Sequence, residues 1–361
     1  MGNTETKPEG VTHTLTFDDG PEGGVRSVLV YIPNSLSQPP SPPGESQGLY
    51  PVVVSMHGGG GNPFGWQGVA NTDSSADRNG FVVVYPAGSH GGAKGKKMFR
   101  SMVGEKLLVW HAAEGKCGQG GADVVDDVGF ICRVVRSLLD PEGDDGRNVL
   151  AGVGDPTRIW ATGLSNGGYM AYRLLVEAPE YFAAVVPVGG IIGPDETVAG
   201  GEGEWAEDRV VRPVLHVHSV DDPRALYGGG EGPPFPMTKR TIHQTPVEEA
   251  LRKWAGYCGI EVSAEHGVVD PGVGEVLARD EETGHTATLY AYQGVGGEEH
   301  RLSFIQLTGG VGHVWPSSPH RPLLNKICGP ATTVINMADV LFEFCSSCPP
   351  LPVSVLDLPP V

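Results

Sequence analysis

The chain has 361 residues, 39% of them hydrophobic and 19% charged, which is enough apolar material for a large packed core and excludes a disordered chain. Its formal charge of -18, from 43 acidic and 25 basic residues, argues against nucleic acid and anionic membrane surfaces as partners, and solubility alone accounts for it. No apolar stretch is long enough to span a bilayer.

Met1-Gly2 lacks the charged-then-apolar layout of an export signal; with Thr6 it fits a myristoylation pattern, and it equally fits a start that replaces a removed signal. Val11 to Phe17 and Val25 to Ile32 alternate and predict strands, the second ended by Pro33. Asn34 to Gly48 is a Pro/Ser/Gly-rich loop. Tyr50 to Met56 is a continuous apolar run, as a strand buried on both faces would be, and it leads into His57-Gly58-Gly59-Gly60-Gly61. A short helix is expected around Thr72 to Arg78, then a buried strand over Gly80 to Pro86. Ala87 to Gly121 is long and irregular and carries Trp110, His111 and Cys117; loops of this length usually hold insertions or function.

Helical spacing returns over Ala122 to Leu139, followed by a β-prone run, Arg158 to Thr162, and a helical run from Gly168. Phe182 to Val188 reads as a strand closing on Gly189-Gly190, Gly193 to Asp208 as an acidic Gly-rich loop, and Arg212 to Val220 as the next strand. A helix over Pro246 to Tyr257, strands over Ala287 to Tyr292 and Leu302 to Leu307, and a helix over Ala331 to Phe344 complete the pattern. Alternating strands and helices predict an α/β fold with a mostly parallel central sheet and helices on both faces. The domain division is an N-terminal strand and extension over 1–24, one catalytic domain over 25–348 and a Pro-rich tail over 349–361.

Six cysteines, at 117, 132, 258, 328, 345 and 348, form an even count that suits an exported, extracellular protein with disulfides, although the pairing is not readable. Cys345 and Cys348 make a C-x-x-C with no second pair, which argues against zinc. There is no Asn-x-Ser/Thr acceptor. Nothing implies a metal or an organic cofactor.

Between the β-prone run and its helix stands Gly163-Leu164-Ser165-Asn166-Gly167, a G-x-S-x-G sequence in strand–turn–helix context. A serine on so sharp a turn has its Oγ pushed out at the sheet edge beside a helix N-terminus. To act as a nucleophile it needs a histidine to take its proton and an acid to hold that imidazole. In α/β-hydrolases the order is Ser, Asp or Glu, His, each after a strand. Asp221 and Asp222 both follow the 212–220 strand, and Asp222, before Pro223, is biased to turn geometry. His313 sits in a glycine-rich turn after the 302–307 strand. His216 and His218 alternate on one strand, which suits packing or local bonding. The amide of Asn166 and that of Gly59, in the His-Gly-Gly-Gly turn, are the candidate oxyanion donors.

The segment Ala161 to Leu174 resembles the nucleophile segment of the polyhydroxybutyrate depolymerase and feruloyl esterase family, carbohydrate esterase family one, on an α/β-hydrolase fold. Ser74 to Pro86, Val125 to Phe130 and His218 to Gly229 are also similar, and Gly312-His313-Val314-Trp315-Pro316 resembles the family's Gly-His-x-Trp-Pro turn. The likeness spans about residues 25 to 345. It implies Ser165, Asp222 and His313 as a catalytic triad, with Trp315 and Trp110 lining the substrate pocket. It implies a serine carboxylic-ester hydrolase acting through an acyl-enzyme on feruloyl or acetyl esters of polysaccharide, or on short polyhydroxyalkanoate esters. Three departures bear on substrate: His218-Ser219-Val220 in place of His-Gly-Thr, Leu226 in place of a proline before Tyr227, and long loops over 193–210, 228–244 and 264–284. A catalytically silent hydrolase used as a binding module, and a serine peptidase on the same fold, are the rival readings.

Overall fold

The structure, a computed structural model, describes residues 8–20, 24–34, 49–89, 107–112, 125–140, 150–196, 209–234, 241–294, 301–319, 322–352 and 358. Met1-Gly2, Cys117, His300, His320, most of the 193–210 loop and most of the Pro-rich tail lie outside the described residues.

Among the described residues, ten strands form one sheet: β1 (Val11–Asp18), β2 (Val25–Ile32), β3 (Tyr50–Met56), β4 (Val82–Pro86), β5 (Gly154–Leu164), β6 (Ala184–Val188), β7 (Val214–Ser219), then β10 (Glu275–Arg279), β11 (Thr286–Gln293) and β12 (Arg301–Thr308). Their order across the sheet is β1-β2-β4-β3-β5-β6-β7-β12-β11-β10. The six strands from β4 to β12 run parallel, and antiparallel strands flank them on both sides. A two-residue hairpin, β8 (Gly230–Glu231) with β9 (His243–Gln244), stands apart.

The parallel strands read as apolar runs because helices cover both faces. Along β3, Val52, Val54 and Met56 enter one core layer and Val53 the other, as a period of two requires. The first layer is closed by α3 (Asp127–Leu139), α4 (Asn166–Glu177) and α5 (Val247–Tyr257). The second is closed by α1 (Pro63–Ala70), α2 (Thr72–Asn79) and α7 (Met337–Ser346). A short helix, α6 (Pro322–Cys328), precedes α7.

Several expectations are corrected. Helix α3 begins at Asp127 rather than Ala122, where the Asp126 carboxylate caps the amide of Gly129 at 2.8 Å. Helix α7 begins at Met337 rather than Ala331, because Asn336 accepts from the amides of Ala338 and Asp339. Helices α1 and α6, strand β10 and the β8–β9 hairpin add to the expected elements. Helix α1 is dilute in helix formers but opens with an Asn62 cap and a proline at the first turn. Strand β10, inside the expected 264–284 loop, is an exposed edge with a bulge between Val276 and Ala278, so no buried face imposes an alternating pattern. Among the described residues, Cys132, Cys258, Cys328, Cys345 and Cys348 form no disulfide with one another, so the expected disulfides have no bonded pair there. Among the described residues no helix is long and apolar enough to cross a membrane.

Candidate active site

Strands β5, β6, β7 and β12 are consecutive in the sheet, so the turns at their carboxyl ends share one edge. Ser165 is the turn between β5 and α4, with φ 58° and ψ -116°, a backbone shape that side-chain-bearing residues rarely adopt. Its amide donates to the carbonyl of Val188 at 2.8 Å, tying the turn to β6. Glycines make the turn possible. A Cβ on Gly167 would lie 2.4 Å from the Met56 carbonyl oxygen, and one on Gly163 would lie 2.6 Å from the backbone of Gly167.

Asp222 follows β7 and His313 follows β12. His313 Nδ1 lies 2.7 Å from Asp222 Oδ2. The other oxygen, Asp222 Oδ1, accepts from the amides of Arg224 and Ala225, each at 2.7 Å. Burial pushes the Asp222 carboxyl up, but His313, His218 and the Arg224 amide outweigh it and hold the group below the usual carboxylate range. Asp221 turns away and accepts from the amide of Gly310 at 2.9 Å.

The His313 ring and the Ser165 backbone both lie against the residues that follow β6. Adjacent strands are about 4.8 Å apart, so anything joining β5 to β7 or β12 must pass over the residues that follow β6. Those residues are Gly189 and Gly190. A Cβ on Gly189 would sit 3.3 Å from both Cε1 and Nδ1 of His313, and one on Gly190 would sit 2.3 Å from the Ser165 carbonyl oxygen. The missing side chains let the imidazole and the serine turn share one floor. The Gly189-Gly190 pair was readable as the end of a strand, but its role here depends on strand order, which the sequence does not state.

The loop after β3 lies against the same serine. A Cβ on Gly58 would be 3.7 Å from Ser165 Cβ. His57, fully buried, takes the amide of Gly88 on Nε2 at 3.0 Å, so its proton is on Nδ1 and donates to the carbonyl of Gly58 at 2.8 Å. Burial pushes the His57 imidazole down to about 4, which keeps it neutral. The Gly61 amide donates to the same carbonyl at 2.9 Å. In a trans peptide the next N–H points opposite to the C=O, so the amide of Gly59 is directed away from the His57 ring. Asn166, the first residue of α4, is fully buried, and its side chain is consumed by the backbone of Trp110.

Trp110 and Trp315 are 0% and 1% exposed, so neither presents an open ring face. Trp110 donates its indole N–H to the His57 carbonyl at 2.9 Å and stacks loosely on the His57 ring, which makes it a brace for the glycine turn. Under it, Arg26 lies over Phe130 and bridges Asp19 and Asp127, and Asp127 accepts from the amide of His111 at 2.7 Å. Trp315 packs edge-on against Trp66 in the second core layer. Among the described residues there is no group of His, Cys, Asp and Glu suited to a metal ion.

The chain is similar to known esterases. The chain is 25% identical to feruloyl esterase B of Thermothelomyces thermophilus over 274 residues, covering 71% of this chain and 78% of that protein. It is 21% identical to acetylxylan esterase A of Aspergillus awamori over 274 residues, covering 73% and 77%. The solved acetyl xylan esterase from Aspergillus awamori superposes with a TM-score of 0.50 at 18% identity, across 88% of this chain and 98% of that one. The chain has the α/β-hydrolase fold and is similar in sequence to feruloyl and acetylxylan esterases. The prolyl oligopeptidase family model matches only residues 149–211 of this hydrolase, the stretch that holds β5, the Ser165 turn and α4.

Proposed function

We propose that this hydrolase cleaves carboxylic esters attached to polysaccharide, feruloyl and acetyl esters first among them, through an acyl-enzyme on Ser165. The observation that carries the reading is the 2.7 Å contact between His313 Nδ1 and Asp222 Oδ2 above the Gly189-Gly190 floor. With Nδ1 committed as the donor to Asp222, Nε2 is the nitrogen free to take the Ser165 proton. Ser165 then attacks the ester carbonyl, and His313 returns the proton to the departing alcohol. The amides of Asn166 and Gly59 stabilise the tetrahedral oxyanion. Water activated by His313 releases the acid. The feruloyl and acetylxylan esterases among the relatives support the substrate class. Polysaccharide esters are met outside cells, which favours an exported enzyme.

The test compares Ser165→Ala, Asp222→Asn and Asp221→Asn on methyl ferulate, p-nitrophenyl acetate, hydroxybutyrate oligomers and a peptide anilide. Ser165→Ala is expected to abolish turnover and Asp222→Asn to lower kcat by about 10³–10⁴-fold, with Asp221→Asn close to wild type. Turnover retained in folded Ser165→Ala would refute the nucleophile. Faster cleavage of the peptide than of any ester would refute the substrate class.

A further inference from the structure

Two imidazoles lie behind Asp222. His216 and His218 alternate on β7 and are 0% and 2% exposed. Two residues apart on a strand, they share one face of the sheet. His216 Nε2 lies 3.0 Å from His218 Nδ1. His218 Nε2 lies 2.8 Å from the carbonyl oxygen of Ala225 and 3.8 Å from Asp222 Oδ2.

The proton positions follow from the partners. A carbonyl oxygen only accepts, so His218 Nε2 carries a hydrogen and donates it to Ala225. In a neutral ring Nδ1 is then a lone pair, and His216 Nε2 must donate to it. Burial lowers the basicity of both rings, His216 most strongly, and keeps the pair neutral.

Ala225 is the link to the reacting groups. Its carbonyl is held by His218, and its amide donates to Asp222 Oδ1 at 2.7 Å. The residue that fixes one oxygen of Asp222 is therefore itself fixed by His218. We infer that His218 is a positioning residue for the triad, acting through Ala225 to set the rotation of the Asp222 carboxylate against His313, with His216 as the donor that locks its tautomer. This rests on Ser165, Asp222 and His313 being the catalytic set.

Packing does not require two imidazoles here. Tyr172 and Phe304 lie beside His216 at ring separations of 5.9 Å each, and neither hydrogen-bonds to it. His216 Nδ1 is buried with no hydrogen-bond partner among the described residues, an expense in stability that an apolar side chain would avoid. What the imidazoles add is a directed hydrogen bond to the turn of Asp222.

The test measures kcat and KM on p-nitrophenyl butyrate, with unfolding curves, for Ser165→Ala, His218→Phe, His218→Gln and His216→Phe. His218→Phe is expected to lower kcat about tenfold or more with KM within about twofold, since only the geometry of proton transfer is affected. His218→Gln, whose amide nitrogen reaches the place of Nε2, should restore most of that loss. His216→Phe, which leaves His218 in place, should act in the same direction by about threefold, and it carries the test should His218→Phe fail to fold. Wild-type kcat in a folded His218→Phe or His216→Phe, or an equal fall for the Gln and Phe variants, overturns the inference. Activity in Ser165→Ala overturns the triad reading instead, so the two failures are distinct.

Discussion

Asn166 closes both atoms of its side-chain amide on the backbone of Trp110: Oδ1 accepts the Trp110 amide at 2.7 Å and Nδ2 donates to the Trp110 carbonyl at 3.0 Å. A side chain thus makes the two bonds a neighbouring strand would make, and joins the nucleophile helix to the loop that braces the glycine turn. This leaves the main-chain amide of Asn166 as its group for a developing oxyanion.

The bond pair gives the first prediction. In Asn166→Asp the Trp110 amide keeps its acceptor, but an ionised carboxylate oxygen faces the Trp110 carbonyl. A loss of about 2–4 kcal/mol is expected at neutral pH, from repulsion and an unpaired buried carbonyl. Protonation restores a donor, so the deficit relative to wild type should shrink as pH falls. Asn166→Ala should lack that recovery. Denaturant titrations from pH 5 to 8 check this, and a deficit independent of pH in Asn166→Asp counts against it.

A second prediction concerns His57, whose Nδ1–H holds the Gly58 carbonyl and thereby aims the Gly59 amide. His57→Phe keeps a ring beside Trp110 but removes one of the two donors on the Gly58 carbonyl, leaving it to the Gly61 amide alone. A fall in kcat of about 10–100-fold with little change in KM is expected, the signature of a donor that matters in the transition state. A rise in KM at unchanged kcat would place the turn in ground-state binding instead.

The third concerns the strain stored at Ser165. Glycine usually costs about 0.5–1 kcal/mol of stability relative to alanine in regular structure. At φ 58° and ψ -116° the sign should invert, and Ser165→Gly should be more stable than Ser165→Ala by about 1 kcal/mol. Both variants lack the hydroxyl, so stability is compared without any difference in chemistry. Equal unfolding midpoints would remove the case for strain.

The fourth concerns Asp73, 7% exposed, which accepts from Tyr85 Oη at 2.6 Å and Gln67 Nε2 at 2.8 Å. Burial pushes its carboxyl up to about 6, against the pull of those two donors and with help from Asp77. An unfolded aspartate releases its proton near 3.9. Between about pH 4 and 6 the folded form therefore keeps a proton that the unfolded form has lost, so this contribution to stability declines as pH rises through that window. The decline is at most about 3 kcal/mol. Asp73→Asn should remove it, gaining on wild type at pH 7.5 relative to pH 4.5. The same difference between variant and wild type at both pH values would contradict the assignment.

Much of this molecule was legible along the chain. The runs at 25–32 and 50–56 read as strands because burial makes most of their positions apolar or β-branched. The serine turn was legible because its glycines sit where a Cβ would strike the backbone. Helix α1 and strand β10 were not, since the first rests on a cap and a proline rather than on helix formers and the second has no buried face. The family resemblance implies Trp110 and Trp315 as pocket residues, yet burial places one under the glycine turn and the other in the core. Aromatic identity alone does not say which way a ring faces.

The sequence by itself determined the alternation of strands and helices, the strained serine and the order in which serine, acid and base follow it, because backbone sterics and hydrophobic periodicity are local. The tertiary structure alone decided that Asp222 rather than Asp221 meets His313, that Gly189 and Gly190 form the floor beneath the imidazole, and that His216 and His218 stand behind the acid. The first two relations join residues that follow different strands of the sheet, whose order is set by packing of the whole core, and the third needs the Ala225 turn to fold back onto His218.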